Sequence, residues 1–332
     1  MTPGSSGSPR ETRSGLRPPR VVLVTGGGTG IGAAVAATLR AAGDEVAILG
    51  RRPGPLAAVA ASTGAFDLVC DVSDAGQVSG AVAAVAERFG RLDGLVLNAG
   101  AMVPGGVGEL SVEDWNTLVA VNLTGAFLVA RCALPHLLRA RGAVVSVASV
   151  AALRASAEMG GYAATKAGLV MLTQSLAVDH GHEGLRANVV CPGWTVTEMA
   201  DEEMAEFGGP RGLDVAEAYA LVTSLVPQRR AATAAEVAAA VAWLLSDAAS
   251  YVNGAVIPVD GGGIAVDAGT LPFDPRHAGT ARPGAVSRGV LAPLQHGYSA
   301  GGQPEGCPSC PTRSQSRTIP PGTTTACSVP GR

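Results

Sequence analysis

The chain has 332 residues, long for one domain and short for two ordinary ones, and it can bury a sizeable core. Its formal net charge is −3, with 24 basic and 27 acidic residues, so it carries neither the basic field of a nucleic-acid binder nor an acidic block. Hydrophobic residues make up 47% and aromatics 4%, which implies an aliphatic core, and no stretch approaches the ~18 uninterrupted apolar residues of a membrane span.

Residues 1–20 are rich in Ser, Gly, Pro and Arg and lack the apolar segment of a secretory signal. They read as a disordered leader, with a transit peptide as the alternative. From residue 21 strand-like and helix-like segments alternate. Val21–Thr25 is a β-branched run that ends in glycines; 31–42 reads as a helix closed by Gly43. Strands follow at 46–49, 66–70 and 95–97, with helical patterns such as 77–89 between them. Ser111-Val-Glu-Asp114 has the form of an N-terminal cap and opens a helix toward Asn122. A further helix spans 126–139, where Pro135 marks a kink or break.

The spacing then gives a strand at 143–148, a helix at 162–178, a strand at 186–190, a capped helix from Thr233 to near Leu245, and a last strand at 255–259. Nearly continuous apolar strands alternating with helices imply one parallel sheet covered on both faces, over residues 21–265. Residues 194–226 interrupt this rhythm and hold Trp194, Met199, Met204, Phe207 and Tyr219. They read either as a mobile substrate lid or as a helix pair packed on the body. Residues 266–332 read as a mostly disordered tail.

Cys70, Cys132 and Cys191 stand alone in or beside apolar runs and read as buried free thiols, which favours a reducing, cytoplasmic setting. Cys307 and Cys310 form a CxxC in the tail, with Cys327 beyond, but a second pair at zinc spacing is missing. His180 and His182 flank a glycine where a helix ends and read as solvated terminal residues. No metal is expected.

The first strand runs straight into Thr25-Gly26-Gly27-Gly28-Thr29-Gly30-Ile31-Gly32. The chain must turn sharply here, the backbone can approach a pyrophosphate where no Cβ intervenes, and the following helix offers free N–H groups to a dianion. In this context, after a strand and opening a helix, the run reads as a dinucleotide site. Its T-G-x-x-x-G-x-G spacing, through Gly26, Gly30 and Gly32, resembles that of the short-chain dehydrogenase/reductase family. At the end of the second strand, where a carboxylate would bind a ribose 2′-hydroxyl, the chain reads Leu49-Gly50-Arg51-Arg52. Arg51 is the better partner for a 2′-phosphate, so NADP(H) is expected, with NAD(H) as the alternative.

Tyr162-Ala-Ala-Thr-Lys166 places a phenol and an ammonium four residues apart, on one face of a helix. Reducing a carbonyl needs a proton donor, and the reverse needs a base. A phenol, with a pKa of ~10, becomes a usable base when a nearby ammonium stabilises its phenolate. Alone, the spacing also fits an incidental surface pair. However, Lys166 is the chain's only lysine and every other one of its 24 basic residues is arginine, which suggests chemistry that a guanidinium cannot perform.

Further motifs in the same order extend the resemblance over residues 21–263, ending in Val259-Asp260-Gly261-Gly262. By resemblance, Asn122, Ser149, Tyr162 and Lys166 form the catalytic tetrad. Tyr162 is its general acid/base, Ser149 orients the substrate oxygen, and Lys166 holds the nicotinamide ribose. Asn122 helps hold a water that links the lysine to solvent. Ser146, inside the strand, is the lesser serine candidate. The cofactor residues implied are Thr25, Gly26, Gly30, Ile31, Gly32, Arg51, Asp71 and Val72 near the adenine, Asn98-Ala99-Gly100, and Pro192, Gly193, Thr195 and Thr197 beside the nicotinamide, together with Tyr162 and Lys166. Leu97 stands where the family often has a second asparagine.

The resemblance implies an α/β fold, a single Rossmann-like doubly wound parallel sheet with helices on both faces. It implies an enzyme that reduces a small-molecule carbonyl to an alcohol, is nearest to the 3-oxoacyl-thioester (acyl-carrier-protein) reductases, and assembles as a homotetramer or homodimer. Met102, Val103 and Leu153 are expected to line one wall of the substrate pocket. No nucleic-acid or membrane partner is expected. Two rival readings are an NAD-dependent alcohol, steroid or sugar dehydrogenase and a non-catalytic dinucleotide-sensing protein.

Overall fold

Strands that are apolar at successive positions need cover on both faces. In the computed structural model, which describes residues 19–267, 269 and 270, the strands are β1 (Val21–Thr25), β2 (Glu45–Gly50), β3 (Phe66–Val69), β4 (Gly94–Leu97), β5 (Ala143–Val147), β6 (Arg186–Pro192), β7 (Thr195–Val196), β8 (Ala232–Thr233) and β9 (Val256–Val259). Seven of them form one parallel sheet in the order β3-β2-β1-β4-β5-β6-β9, and β7 pairs with β8 alone. The helices are α1 (Gly30–Ala41), α2 (Pro53–Thr63), α3 (Ala75–Phe89), α4 (Val112–Val119), α5 (Gly125–Ala140), α6 (Gly160–His180), α7 (Glu198–Gly208), α8 (Val215–Val222) and α9 (Ala234–Leu245).

The two-residue period of a strand divides the core. Val21 and Leu23 point with Ala47, Leu49, Leu95 and Leu97 toward α3, α5 and α6. Val22 and Val24 point with Val46, Ile48 and Val96 toward α1, α2 and α9. The chain steps outward from β1 to β3 and returns to β4 on the other side of β1. The helices therefore leave β1 and β4 toward opposite faces, and a crevice opens at their C-terminal ends, the usual ligand position in such sheets.

Several boundaries differ from the sequence reading. Arg20, placed in the leader, is tied to the domain: its guanidinium pairs with Asp44 and donates to the Leu245 carbonyl. Pro135 does not break its helix, because α5 runs through it from Gly125 to Ala140. The irregularity lies upstream instead, where α4 passes into α5 through a π-helical turn over Ala120–Thr124. The resulting helical span Val112–Ala140 is long and apolar enough to cross a bilayer by length and composition. Its Val129, Ala130, Ala133 and Leu137 are nevertheless buried in the core beside the sheet, as expected of a central helix. Residues 194–226 contain α7 and α8, with Met204, Ala218 and Tyr219 in a small core of their own. The proposed tail beyond 270, with Cys307, Cys310 and Cys327, and residues 1–18 of the leader lie outside the described residues.

Candidate active site

The glycine turn is built by steric necessity. Gly26 and Gly30 have φ of 65° and 53°, which L side chains rarely adopt. A Cβ on Gly32 would stand 2.1 Å from the Gly26 carbonyl oxygen, so no other residue fits there. Thr25 and Asn98 brace the turn from below. Thr25 Oγ1 accepts from the N–H groups of Asn98 at 2.9 Å and Ala99 at 3.0 Å, and Asn98 Nδ2 donates to the Thr25 carbonyl at 2.9 Å. Thr25, Gly30, Gly32 and Asn98, which the resemblance places among the cofactor residues, thus shape the floor and are not on the groove wall.

The groove itself has a volume of about 520 Å³ and is lined by Gly26, Gly28, Arg51, Asp71, Val72, Ala99 and Gly100, among others. The first turn of α1 carries no acidic residue, and Thr29 makes no side-chain cap, so its N–H groups remain available to an anion. The glycine cradle, the uncapped helix end and the adjacent guanidiniums fit a dinucleotide. The two arginines differ. Arg52 is committed to a bidentate pair with Glu198 on α7, at 2.6 Å and 3.1 Å. Arg51 makes no side-chain hydrogen bond or ion pair among the described residues and lies in the field of Asp71. Asp71 is itself held by Ser73, whose N–H and hydroxyl donate to it at 2.9 Å and 2.7 Å and keep its carboxyl below the usual range.

A second cavity of about 440 Å³ adjoins this groove, with Met102, Met199 and Glu203 lining both. Ser149, just past β5, and Tyr162, in the first turn of α6, stand in its wall. The Ser149 hydroxyl stands beside the Tyr162 phenol and favours its ionised form, and the Ala151 N–H donates to Ser149 Oγ at 3.1 Å. Ser146 is elsewhere: it is fully buried in β5 and bonded to Thr173 Oγ1 at 2.7 Å. Pro192, Gly193, Thr195, Thr197 and Ile31 line the same cavity. Met102 is on its wall as expected, whereas Val103 and Leu153 are not.

Lys166 lies one turn after Tyr162 on α6, only 4% exposed, and its Nζ donates to the Val147 carbonyl at 3.0 Å. The ammonium stands 5.7 Å from the centre of the Tyr162 ring. Burial pulls the ammonium down to about 8 and pushes the phenol up to about 12, the latter opposed by the neighbouring Ser149 hydroxyl. Desolvation, rather than the lysine charge, dominates the tyrosine in the free protein.

Asn122 sits in the π turn, fully buried. Its Oδ1 accepts from the Ala101 N–H at 2.7 Å, and its Nδ2 donates to the Ala101 carbonyl at 2.9 Å and to Thr165 at 3.0 Å. It therefore clamps the segment after β4 to α6. A Cβ on Gly100 would lie 3.4 Å from Lys166 Nζ and 3.5 Å from Asn122 Oδ1, ordinary contact distances that place both side chains directly behind the groove wall. Cys191, a buried free thiol, packs behind the site, and burial pushes it up to about 11. His180, far from both cavities, bonds Glu183 at 2.8 Å.

The sequence reading missed Leu56, Pro55 and Cys70 on the groove wall and Glu198, Glu202, Glu203 and Glu206 on its α7 side. One legible signal was passed over: Asp214-Val-Ala-Glu217 is a complete capping box that opens α8 and marks 194–226 as a helix pair.

Residues 26–263 match the family model described as enoyl-(acyl carrier protein) reductase. The chain is 39% identical over 244 residues to the meso-2,3-butanediol dehydrogenase of Serratia marcescens, covering 73% of this chain and 93% of that one. It is 38% identical over 250 residues to the 3-oxoacyl-[acyl-carrier-protein] reductase MabA of Mycobacterium tuberculosis, covering 74% and 94%. Among solved structures it resembles an actinorhodin polyketide ketoreductase determined with NADPH, with a TM-score of 0.70 at 33% identity over 74% of this chain and 97% of that one. With the crevice, the glycine turn and the Ser149–Tyr162–Lys166 grouping in place, these matches establish that the chain belongs to the short-chain dehydrogenase/reductase family of oxidoreductases.

Proposed function

We propose that the protein is an NADP(H)-dependent reductase of a small-molecule carbonyl, with Tyr162 as general acid/base. The observation that carries this reading is that Ser149 and Tyr162 stand together in the wall of a cavity that adjoins the dinucleotide groove, with Lys166 buried one turn further along α6. A nicotinamide dinucleotide supplies the hydride when bound. The chain's own part is to hold and move the proton. Ser149 Oγ is placed to hydrogen-bond the carbonyl oxygen, and Tyr162, whose burial keeps it protonated at neutral pH, delivers its proton to that oxygen. The buried Lys166 ammonium, 5.7 Å from the ring centre, stabilises the phenolate that proton donation leaves, and solvent returns the proton before the next turnover. Asn122 keeps Ala101 and α6 in register around the lysine.

The names of the relatives support a ketone or secondary alcohol as substrate, since butanediol oxidation and 3-oxoacyl reduction are the same carbonyl–alcohol interconversion. The test is NADPH consumption by the purified chain with acetoacetyl thioester and a panel of small ketones. Turnover supports the reductase reading. NADPH binding without turnover on any ketone or alcohol would favour a dinucleotide-sensing protein instead.

The cofactor preference rests on Arg51, whose guanidinium is not engaged by a carboxylate while Arg52 is held by Glu198. Arg51→Ala is expected to weaken NADPH binding by about 10- to 100-fold, the range of a lost charge-assisted hydrogen bond, and to leave NADH binding nearly unchanged. Fluorescence titration with both cofactors checks this; an equal loss for the two would remove Arg51 from 2′-phosphate recognition. The homotetramer or homodimer implied by the resemblance has an apolar face available in exposed Phe127, Met171 and Val178 on α5 and α6. Sedimentation at the mass of a monomer would refute it.

A further inference from the structure

The cavity around Ser149 and Tyr162 is apolar over much of its wall, which includes Met159, Trp194, Val222 and Ile264. Two carboxylates also stand in it. Asp260 is satisfied by its own turn, accepting from the N–H groups of Gly262 at 2.9 Å and Ile264 at 2.8 Å. Glu203, on α7, is half-buried and has no hydrogen-bond or ion-pair partner among the described residues.

A carboxylate that gives up part of its hydration without gaining a donor costs free energy. Burial, aided by Glu206, accordingly raises the Glu203 carboxyl above the usual range. Its charge is felt by the Tyr162 phenol, consistent with their shared cavity. The other acids of α7 are placed differently. Glu198 is paired with Arg52, Asp201 accepts from the Tyr219 hydroxyl at 2.8 Å, and Glu202 and Glu206 are exposed and line the groove only. Glu203 alone reaches both the groove and the substrate cavity, at their junction, where a substrate carbonyl must meet the dinucleotide.

The missing donor is one that a substrate can bring. Arg154 at the exposed rim donates to the Leu153 carbonyl at 3.1 Å, and its charge disfavours a cationic arm in the same cavity. A neutral hydroxyl suits both constraints. We propose that Glu203 is a specificity-determining residue that accepts a hydrogen bond from a hydroxyl next to the reacting carbonyl, so that the site selects α-hydroxy ketones and vicinal diols over carbonyl compounds with plain alkyl arms. This rests on the carbonyl-reductase reading above.

The test compares 3-hydroxy-2-butanone with 2-butanone, which differ by that hydroxyl, as substrates of the full chain with NADPH. The kcat/KM ratio of the first to the second is expected to be well above one in the wild type. It falls by about 10- to 100-fold in Glu203→Leu and by a few-fold in Glu203→Gln, whose amide oxygen still accepts. NADPH titration of each variant identifies any damage to the groove; if the leucine variant loses NADPH binding, the ratio in the glutamine variant decides. An unchanged ratio in the variants overturns the proposal, including the case where both ketones lose equally, which makes Glu203 a positioning residue for Tyr162. A wild type that reduces 2-butanone at least as well as the hydroxy ketone overturns the selectivity and leaves the reductase reading intact. A wild type that binds NADPH and turns over no carbonyl or alcohol overturns both.

Discussion

Tyr162→Phe is expected to lower kcat by about 10²- to 10⁴-fold, the range for loss of a general acid, while NADPH affinity stays within a few-fold of wild type. The change removes one hydroxyl from the wall of the substrate cavity and leaves the α6 backbone and the groove untouched. Ser149 keeps its bond from the Ala151 N–H, so its orientation survives. The same geometry fixes the direction of the pH dependence. With the phenol pushed up to about 12, reduction starts from the protonated, competent form across the neutral range. Oxidation needs the phenolate, so its rate rises with pH. Deprotonation of Lys166, brought down to about 8, removes a positive charge from the site, and reduction declines above that value. Single-turnover rates in both directions against pH, with the phenylalanine variant alongside, check these signs. Full activity of Tyr162→Phe would falsify the role given to the tyrosine.

What the sequence discloses follows from how strongly each feature is written into local chemistry. The parallel sheet is legible because strands such as Val21–Thr25 are apolar on both faces, and only a sheet with helices on both sides can bury them. The glycine turn is legible because Gly26 and Gly30 are demanded by positive φ and Gly32 by a near contact with a carbonyl. Tyr162 and Lys166 are legible because a helix puts positions four apart on one face. The π turn over Ala120–Thr124 is not, since widening one turn changes backbone bonding without calling for a particular side chain. Pro135 misleads as a break for a related reason: the rule against proline in a helix is a cost, and α5 continues through it with Ala133 and Leu137 buried on either side. The Arg52–Glu198 pair joins residues 146 positions apart, and Glu203 and Tyr162, from α7 and α6, come to line one cavity only in the folded chain. Neither leaves a mark in local spacing. Such long-range placement decides selectivity, which is why the reaction class can be read from motifs and the substrate cannot.

Lys166→Met is expected to remove activity and at the same time stabilise the fold at neutral pH. Lys166 is 4% exposed and donates one hydrogen bond, to the Val147 carbonyl, while burial lowers its pKa from the usual 10.5 to about 8. A lowered lysine pKa means that the unfolded chain binds the proton more tightly than the folded one. Below about pH 8 both states are charged, and the folded state carries the full cost of burying that charge, roughly 3 kcal/mol at ~1.36 kcal/mol per pKa unit. Between about 8 and 10.5 the folded lysine loses its proton first and the cost fades; above 10.5 it is gone. Wild-type stability from this group therefore rises with pH across that window. Methionine has a similar shape and no charge, so the variant is more stable at pH 7 by up to roughly 2 kcal/mol, after about 1 kcal/mol is subtracted for the lost hydrogen bond. Its advantage disappears by pH 10.5, where the wild type is neutral as well. Urea unfolding of the two proteins at pH 7 and pH 10 measures the difference directly. A variant that is less stable at pH 7 would mean that the bond to Val147 outweighs desolvation. A stabilised but inactive variant would place Lys166 among residues kept for function against the interest of the fold, which is also what its survival as the chain's only lysine suggests.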